Sequence, residues 1–310
     1  MKDRARLVVP IAFWVGLAAA LLVLWLSGQA GDAWRSLSGA RVELLIVIVV
    51  IGMALPVIHA WRWRVIMAAL GHSLAASTAA GLTVSASLIN YATPGFLGAP
   101  AKAILANRAE KIPMGRSLVA IALEQGLDFL LLVFSSALVV LYIGPARFSG
   151  LLSLGGWLPS PAIGVVFVAL AVVILGVIGR ERVARVAGRI RGAFAQARDH
   201  VSWGAVVGLT LLYWLAQVAV VGVLLWALRL PVDPAMVLAL GTLPLLAGQL
   251  APVPGGVGVR EATIVALSGV TGVGAASLLG LAVLQRVLLV AALPLSLLAI
   301  RVARLSGVSR

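Results

Sequence analysis

Charge and cysteine are what this sequence of 310 residues has least of. Only 11% of its residues are charged, where a soluble domain carries about 25%, and this excludes an ordinary soluble enzyme. There is no cysteine, so disulfides, thiolate metal sites and a thiol nucleophile are excluded as well. His59, His72 and His200 lie far apart and show no metal-ligand spacing. We therefore expect neither a metal site nor a cofactor.

Apolar residues take the place of the missing charge. They make up 62% of the chain, the mean hydropathy is +1.12, and apolar runs of about 18 residues or more recur along its length. The net charge of +14 would suggest nucleic acid in a soluble protein, but in a membrane protein it reports topology. We therefore expect a single integral membrane domain over residues 1–310 and no nucleic-acid partner.

The apolar runs predict an all-α polytopic membrane protein. About six transmembrane helices are expected, near residues 7–26, 42–60, 117–143, 162–179, 202–228 and 277–300. Two further apolar stretches, 74–107 and 234–270, are interrupted by Thr93-Pro94-Gly95 and by Val253-Pro254-Gly255-Gly256. Such interruptions favour re-entrant hairpins made of two half-helices.

The distribution of Lys and Arg predicts the orientation. With a cytoplasmic N-terminus, most cations, Arg62 among them, fall in cytoplasmic segments, as the positive-inside rule requires. Three cations fall at membrane depth, and the outside segments hold only Arg35, Arg41, Arg147 and Arg229. We expect both termini to lie in the cytoplasm. Alternatively, the N-terminal run is a signal peptide cleaved near Ala30.

The two interrupted stretches also predict an internal repeat. An offset of 160 residues places Pro94-Gly95 on Pro254-Gly255, Gly98 on Gly258 and Gln125 on Gln285. The repeats would cover about 1–145 and 160–305. Three crossings lie between the interrupted stretches, and an odd number inverts the second copy, which is typical of transporters that work by alternating access. Alternatively, duplication produced a scaffold in which nothing moves.

Each interruption is followed by a new half-helix, expected near Pro100 in the first copy and near Val257 or Gly258 in the second. A helix N-terminus favours anions, phosphate above all, and Lys102 and Arg260 in the first turns would reinforce such a site. Alternatively, the glycines serve close packing and the cations pair internally.

Acidic residues also fall at membrane depth, where an ionisable group points to function. Glu124 and Asp128 are spaced i, i+4 on one face of a span, and Glu261 follows the second break. Together with Lys102, Arg260 and Arg286 they are neutral, which suits internal ion pairs, such as Arg286 with Glu124, or a guest that carries a phosphate and an amine. A general acid/base pair is a third alternative, but no further catalytic constellation accompanies it, and we expect no enzyme.

These residues resemble a known family. Pro-Gly-x-x-Gly before a basic residue, then Glu124-x3-Asp128, then Pro254-Gly255-Gly256-Val257-Gly258-Val259-Arg260-Glu261 and finally Arg286 are similar to the lysylphosphatidylglycerol synthase transmembrane region, a flippase-like family. The second motif matches closely. The first departs from it, because Ala99, Pro100 and Lys102 stand where the family usually shows an acid and an arginine.

The resemblance implies translocation of a lipid across the bacterial inner membrane, as in the membrane half of the bacterial multiple peptide resistance factor, which moves aminoacylated phosphatidylglycerol outward. We expect an anionic or zwitterionic phospholipid, or a lipid-linked headgroup, as the ligand and no aminoacyl transfer. The alternative is a scaffold for a separate lipid-modifying enzyme or glycosyltransferase. The candidate substrate-binding residues are Lys102, Glu124, Asp128, Gly255, Gly256, Gly258, Arg260, Glu261 and Arg286. The residues expected to break the helices are Pro94, Gly95, Gly98 and Pro254.

Overall fold

A computed structural model describes residues 38–92, 98–144, 199–250 and 258–305, together with Arg147, Gly188, Gly192, Ala195 and Gly256. The predicted spans at 7–26 and 162–179 lie outside the described residues. Within them the fold is helical, as predicted. The helices are α1 Val42–Ala69, α2 Ala76–Ala92, α3 Gly98–Glu110, α4 Met114–Ile143, α5 Trp203–Ala227, α6 Pro234–Leu250, α7 Val259–Ala266, α8 Ser268–Thr271 and α9 Ala275–Leu305.

Four of these helices, α1, α4, α5 and α9, are long and apolar enough to cross a membrane. They coincide with four of the predicted spans. Each has many large apolar side chains on its outer surface, including Val50 and Ile46 on α1 and Leu141 on α4. In water such a surface would be costly, whereas lipid is an equally apolar solvent. The described part of the chain therefore has the structure of a helical membrane protein.

Helix α1 corrects the predicted end of the second span. It continues beyond the expected end at residue 60 to Ala69, and Arg62 and Trp63 in this extension are both fully buried. Arg62 therefore lies buried within a helix rather than in a loop beyond it, and its placement on the cytoplasmic side stays a prediction. A basic residue beside tryptophans is typical of the end of a span. Here the Arg62 side chain points into the protein instead, because it pairs with a buried carboxylate.

The first interrupted stretch forms the two helices α2 and α3, and the second forms α6 and α7, followed by the short helix α8. The helices α2 and α3 pack on one another, as do α6 and α7. Gly98, the first residue of α3, lies so close to α2 that a Cβ atom would meet the Ala86 carbonyl oxygen at 2.7 Å. Helix α3 begins two residues before Pro100 and α7 begins at Val259, close to the expected positions. Pro94, Gly95, Pro254 and Gly255 lie outside the described residues, and the re-entrant path stays a prediction.

The long helices are held together by two apolar clusters. One joins α5, α6 and α9 to the first half of α1, through residues such as Ile48, Leu224 and Leu278. The other joins the last turns of α1 to α2, α3 and α4, through residues such as Met67 and Val119. The charged residues described below lie at contacts between the helices that these two clusters join.

Candidate functional site

The most buried charge in the described segments is Arg62 of α1, which lies against Asp128 of α4. Its Nη1 and Nη2 atoms donate to Oδ1 and Oδ2 of Asp128 at 2.6 and 2.7 Å, a bidentate geometry that fixes both position and orientation. Nη1 also donates to the Thr210 hydroxyl of α5 at 3.1 Å. The Trp214 indole donates to Asp128 Oδ1 at 2.9 Å. One carboxylate thus ties α1, α4 and α5 together.

One turn earlier on α4, Glu124 forms an ion pair with a lysine of α3. The Lys102 ammonium lies 3.1 Å from Glu124 Oε2 and 4.3 Å from the centroid of the Trp63 ring. A ring face attracts a cation, and more strongly where water is excluded. Lys102 is 4% and Glu124 is 1% exposed, so both charges depend on each other for compensation.

The second oxygen of Glu124 has unused capacity to accept hydrogen bonds. Oε1 lies 3.4 Å from His59 Nε2 and 3.6 Å from Arg62 Nε. All three atoms are buried without a hydrogen-bond partner in the described segments. A small shift of His59 or Arg62 would complete a bond, because hydrogen bonds form at about 2.7–3.2 Å. Glu124 Oε1 can therefore gain a hydrogen bond through a small movement of a neighbouring side chain.

We call His59, Arg62, Lys102, Glu124 and Asp128 the first charge network. The positive charges of Arg62 and Lys102 balance the negative charges of Glu124 and Asp128. Burying any one of these charges alone costs several kcal/mol, so the network is stable as a set. It is also enclosed, since every carboxylate and cation in it apart from His59 is almost completely buried.

A second ion pair joins α7 to α9. Arg286 places Nη2 at 2.6 Å and Nε at 2.7 Å from Glu261 Oε1. The other oxygen of Glu261 accepts the Gly258 backbone N–H at 2.7 Å, which caps the start of α7. Gly258 has φ +83°, a conformation that glycine adopts without strain. We call Glu261 and Arg286 the second charge pair.

The second charge pair borders a small pocket. The pocket is lined by Arg260, Glu261, Ile264, Gln285, Arg286 and Leu289. Arg260 reaches it past two glycines, Gly248 of α6 and Gly256 of the break. In the described part of the chain the two charge sets thus differ: one is closed and the other has adjacent space.

The predicted substrate-binding residues therefore fall into two groups. Lys102, Glu124 and Asp128 meet in the first network. Gly256, Gly258, Arg260, Glu261 and Arg286 meet at the second pair, and Gly255 lies outside the described residues. The suggested pairing of Arg286 with Glu124 is wrong, because Arg286 binds Glu261 and Glu124 binds Lys102.

Sequence reasoning missed His59, Arg62, Thr210 and Trp214. The signal was present for Trp214, which lies in the middle of a predicted span rather than near its ends, where membrane tryptophans concentrate. A mid-span indole needs an acceptor for its N–H, and Asp128 supplies it. Arg62 carried no such signal, because a basic residue after an apolar run is also typical of a loop.

Comparison with known proteins agrees with this picture at the level of the family. No curated protein and no solved structure matches the chain. The family described as lysylphosphatidylglycerol synthase TM region matches residues 13–296, which include α1, α4, α5, most of α9, the first charge network and the second charge pair. The chain belongs to the lysylphosphatidylglycerol synthase transmembrane region family.

Proposed function

We propose that the protein translocates a phospholipid, such as an aminoacylated phosphatidylglycerol, or a lipid-linked headgroup across the bacterial inner membrane, with both termini in the cytoplasm. It moves the lipid without modifying it chemically. Membership of a lipid-related membrane family supports this proposal, as do four helices of spanning length. The ligand is an anionic or zwitterionic phospholipid or a lipid-linked headgroup.

The observation that carries the proposal is a pair of matching ion pairs of opposite polarity. In each case a short helix after a break is bound to the long helix that follows it. Lys102 on α3 binds Glu124 on α4, whereas Glu261 on α7 binds Arg286 on α9. Ion pairs at membrane depth are expensive and point to function. A zwitterionic headgroup offers the same two charges and can replace either partner without leaving a charge unpaired.

The helix order supports two related halves. The helices α1 to α4 recur as α5, α6, α7 and α9, and equivalent helices begin about 160 residues apart. Contacts recur as well: α3 packs on α4 as α7 packs on α9, and α1 packs on α2 as α5 packs on α6. We propose that these halves form an inverted repeat with two re-entrant hairpins, an arrangement that exposes one central site alternately to each side.

The test is translocation by the purified full chain in proteoliposomes. The readout is the initial rate at which an amine-bearing phospholipid becomes accessible to a membrane-impermeant amine reagent. We expect a rate well above that of protein-free vesicles. Glu261→Gln should lower it by about tenfold or more, because it leaves Arg286 without its charged partner.

The matched control is Glu110→Gln, which removes an exposed carboxylate at the end of α3 and should keep the wild-type rate. Equal rates for wild-type protein and empty vesicles would contradict translocation. If the wild type were also to retain a lipid-modifying enzyme during purification, that result would favour a scaffold.

A further inference from the structure

The pocket beside the second charge pair holds a polar residue with no role in that pair. Gln285 of α9 is 6% exposed, lines the pocket, and makes no hydrogen bond within the described segments. The amide of a mostly buried residue normally has a partner, so the Gln285 amide is free to bond to a ligand in the pocket. Gln125, which matches it at the repeat offset, is exposed on α4. The burial of Gln285 is thus specific to the second half.

Arg260 brings an uncompensated charge to the same pocket. The single carboxylate there is occupied on both oxygens, since Glu261 binds Arg286 through Oε1 and the Gly258 N–H through Oε2. Arg260 forms no ion pair within the described residues, and its Nε atom is buried without a hydrogen-bond partner. The pocket therefore has one net positive charge and unused N–H donors on Arg260 and Gln285.

Two glycines leave the space in which the Arg260 side chain lies. A Cβ atom on Gly248 of α6 would lie 2.5 Å from Cγ and 2.8 Å from Cδ of Arg260, and one on Gly256 would lie 3.0 Å from the same two atoms. Gly256 also has φ +67°, which disfavours any other residue. The arginine side chain thus passes through a space that only glycines leave open.

A positive pocket with unpaired N–H donors fits an anionic oxygen. The guanidinium and the amide can both donate to one phosphoryl oxygen, and Arg is the preferred residue for phosphate. The cavity is about 10 Å³, which is room for about one water-sized atom. One oxygen therefore fits inside while the rest of the ligand remains at the opening, against Ile264 and Leu289.

We propose that Arg260 and Gln285 form a binding site for a single phosphodiester oxygen, with Gly248 and Gly256 as the residues that position Arg260. This inference rests on the proposed function in taking the phosphodiester of a phospholipid as the ligand. The same chemistry would also accept free phosphate. The glycolipid diglucosyl diacylglycerol has the same two-chain anchor but no phosphate, and it serves as the comparison ligand.

The test is binding to the purified full chain in detergent, followed by native mass spectrometry during titration with phosphatidylglycerol or with diglucosyl diacylglycerol. We expect selective binding of phosphatidylglycerol by the wild type. Arg260→Gln should weaken it by about tenfold or more, in line with the loss of a charge-assisted hydrogen bond. Gly248→Ala keeps the charge but displaces the side chain, and it should weaken binding as well.

Gln285→Met separates binding from structure. Methionine keeps the unbranched shape but removes the unpaired amide, so the melting temperature should be equal or higher while phosphatidylglycerol binding falls several-fold. Gln125→Met is the matched control in the first half and should leave binding unchanged. A Gln285→Met variant that lost stability and kept wild-type binding would overturn the role of this residue.

The sources of phosphate are distinguished by competition. If millimolar inorganic phosphate displaces phosphatidylglycerol, the site takes free phosphate too, and if it does not, the site is specific for the lipid. Equal binding of the glycolipid, or wild-type affinity in Arg260→Gln, would overturn the site. That failure would leave translocation intact, whereas a wild type that binds phosphatidylglycerol selectively but moves no lipid would overturn the proposed function alone.

Discussion

At the scale of the residue, the decisive feature is how Asp128 is used. It accepts two bonds from Arg62 and one from Trp214, and so compensates a cation that is fully buried. The net value of such a pair is small, since both ions lose water, but removing one partner is costly. Asp128 is therefore a structural counter-ion first, even though sequence reasoning grouped it with the substrate-binding residues.

Asp128→Asn should destabilise the protein by about 3–5 kcal/mol, because it leaves the Arg62 charge buried beside a neutral amide. The measurement is thermal unfolding in detergent. Thr210→Val should cost only about 1 kcal/mol, since Arg62 keeps its carboxylate. Glu110→Gln, on the surface, is the control and should change nothing. If Asp128→Asn melted with the wild type, the assignment of Asp128 as the counter-ion would be wrong.

The candidate site was partly predictable at this scale. Lys102, Glu124, Glu261 and Arg286 stand out because a charge within an apolar run is rare and expensive. Their partners do not follow from the sequence, because pairing depends on which helices meet. Arg62 illustrates this limit: its burial is set by Asp128, which is 66 residues away along the chain.

At the scale of the element, close helix crossings replace the apolar driving force that water would supply. In lipid, association relies on packing, and small residues let backbones approach. Gly52 of α1 is such a contact, because a Cβ atom there would lie 2.9 Å from the Cβ of Ala292 on α9. A Cβ atom added at Gly126 of α4 would have nothing within 4 Å. Gly52 therefore allows a close helix contact, whereas Gly126 does not lie at one.

Gly52→Ala should therefore lower stability by about 1–3 kcal/mol through overpacking between α1 and α9. Gly126→Ala should leave it unchanged or raise it by up to about 1 kcal/mol, because alanine favours a helix and has room. Melting temperatures of the two variants in the same detergent check this pair. A Gly126→Ala loss as large as that of Gly52→Ala would mean that packing at the crossing is not what α1 and α9 depend on.

Element boundaries were predictable where apolar runs end in polar residues, as at α4 and α5. They were not predictable at α1, where Trp61 to Arg64 look like the end of a span but continue the helix to Ala69. The pattern reports side-chain polarity, whereas the helix continues because Arg62 and Trp63 are buried by α4, α5 and Lys102. Tertiary contacts, which the local pattern does not contain, decide this boundary.

At the scale of the whole molecule, the two charge sets lie on different helices, the first on α1, α3 and α4 and the second on α7 and α9. The first network is enclosed and joined to α5 through Thr210 and Trp214. The second pair borders a pocket. In our account of translocation, the closed network holds the halves together on one side while the second pair receives a headgroup, and the two exchange these roles during the cycle.

The most direct test of this account is the initial translocation rate of Glu124→Gln, of Glu261→Gln and of the double variant in one set of proteoliposomes. Because both halves act in series, we predict that each single change lowers the rate by about tenfold or more and that the double change is hardly worse, as for groups that act as a unit. A wild-type rate in either single variant, or two losses that multiply in the double variant, would contradict the account.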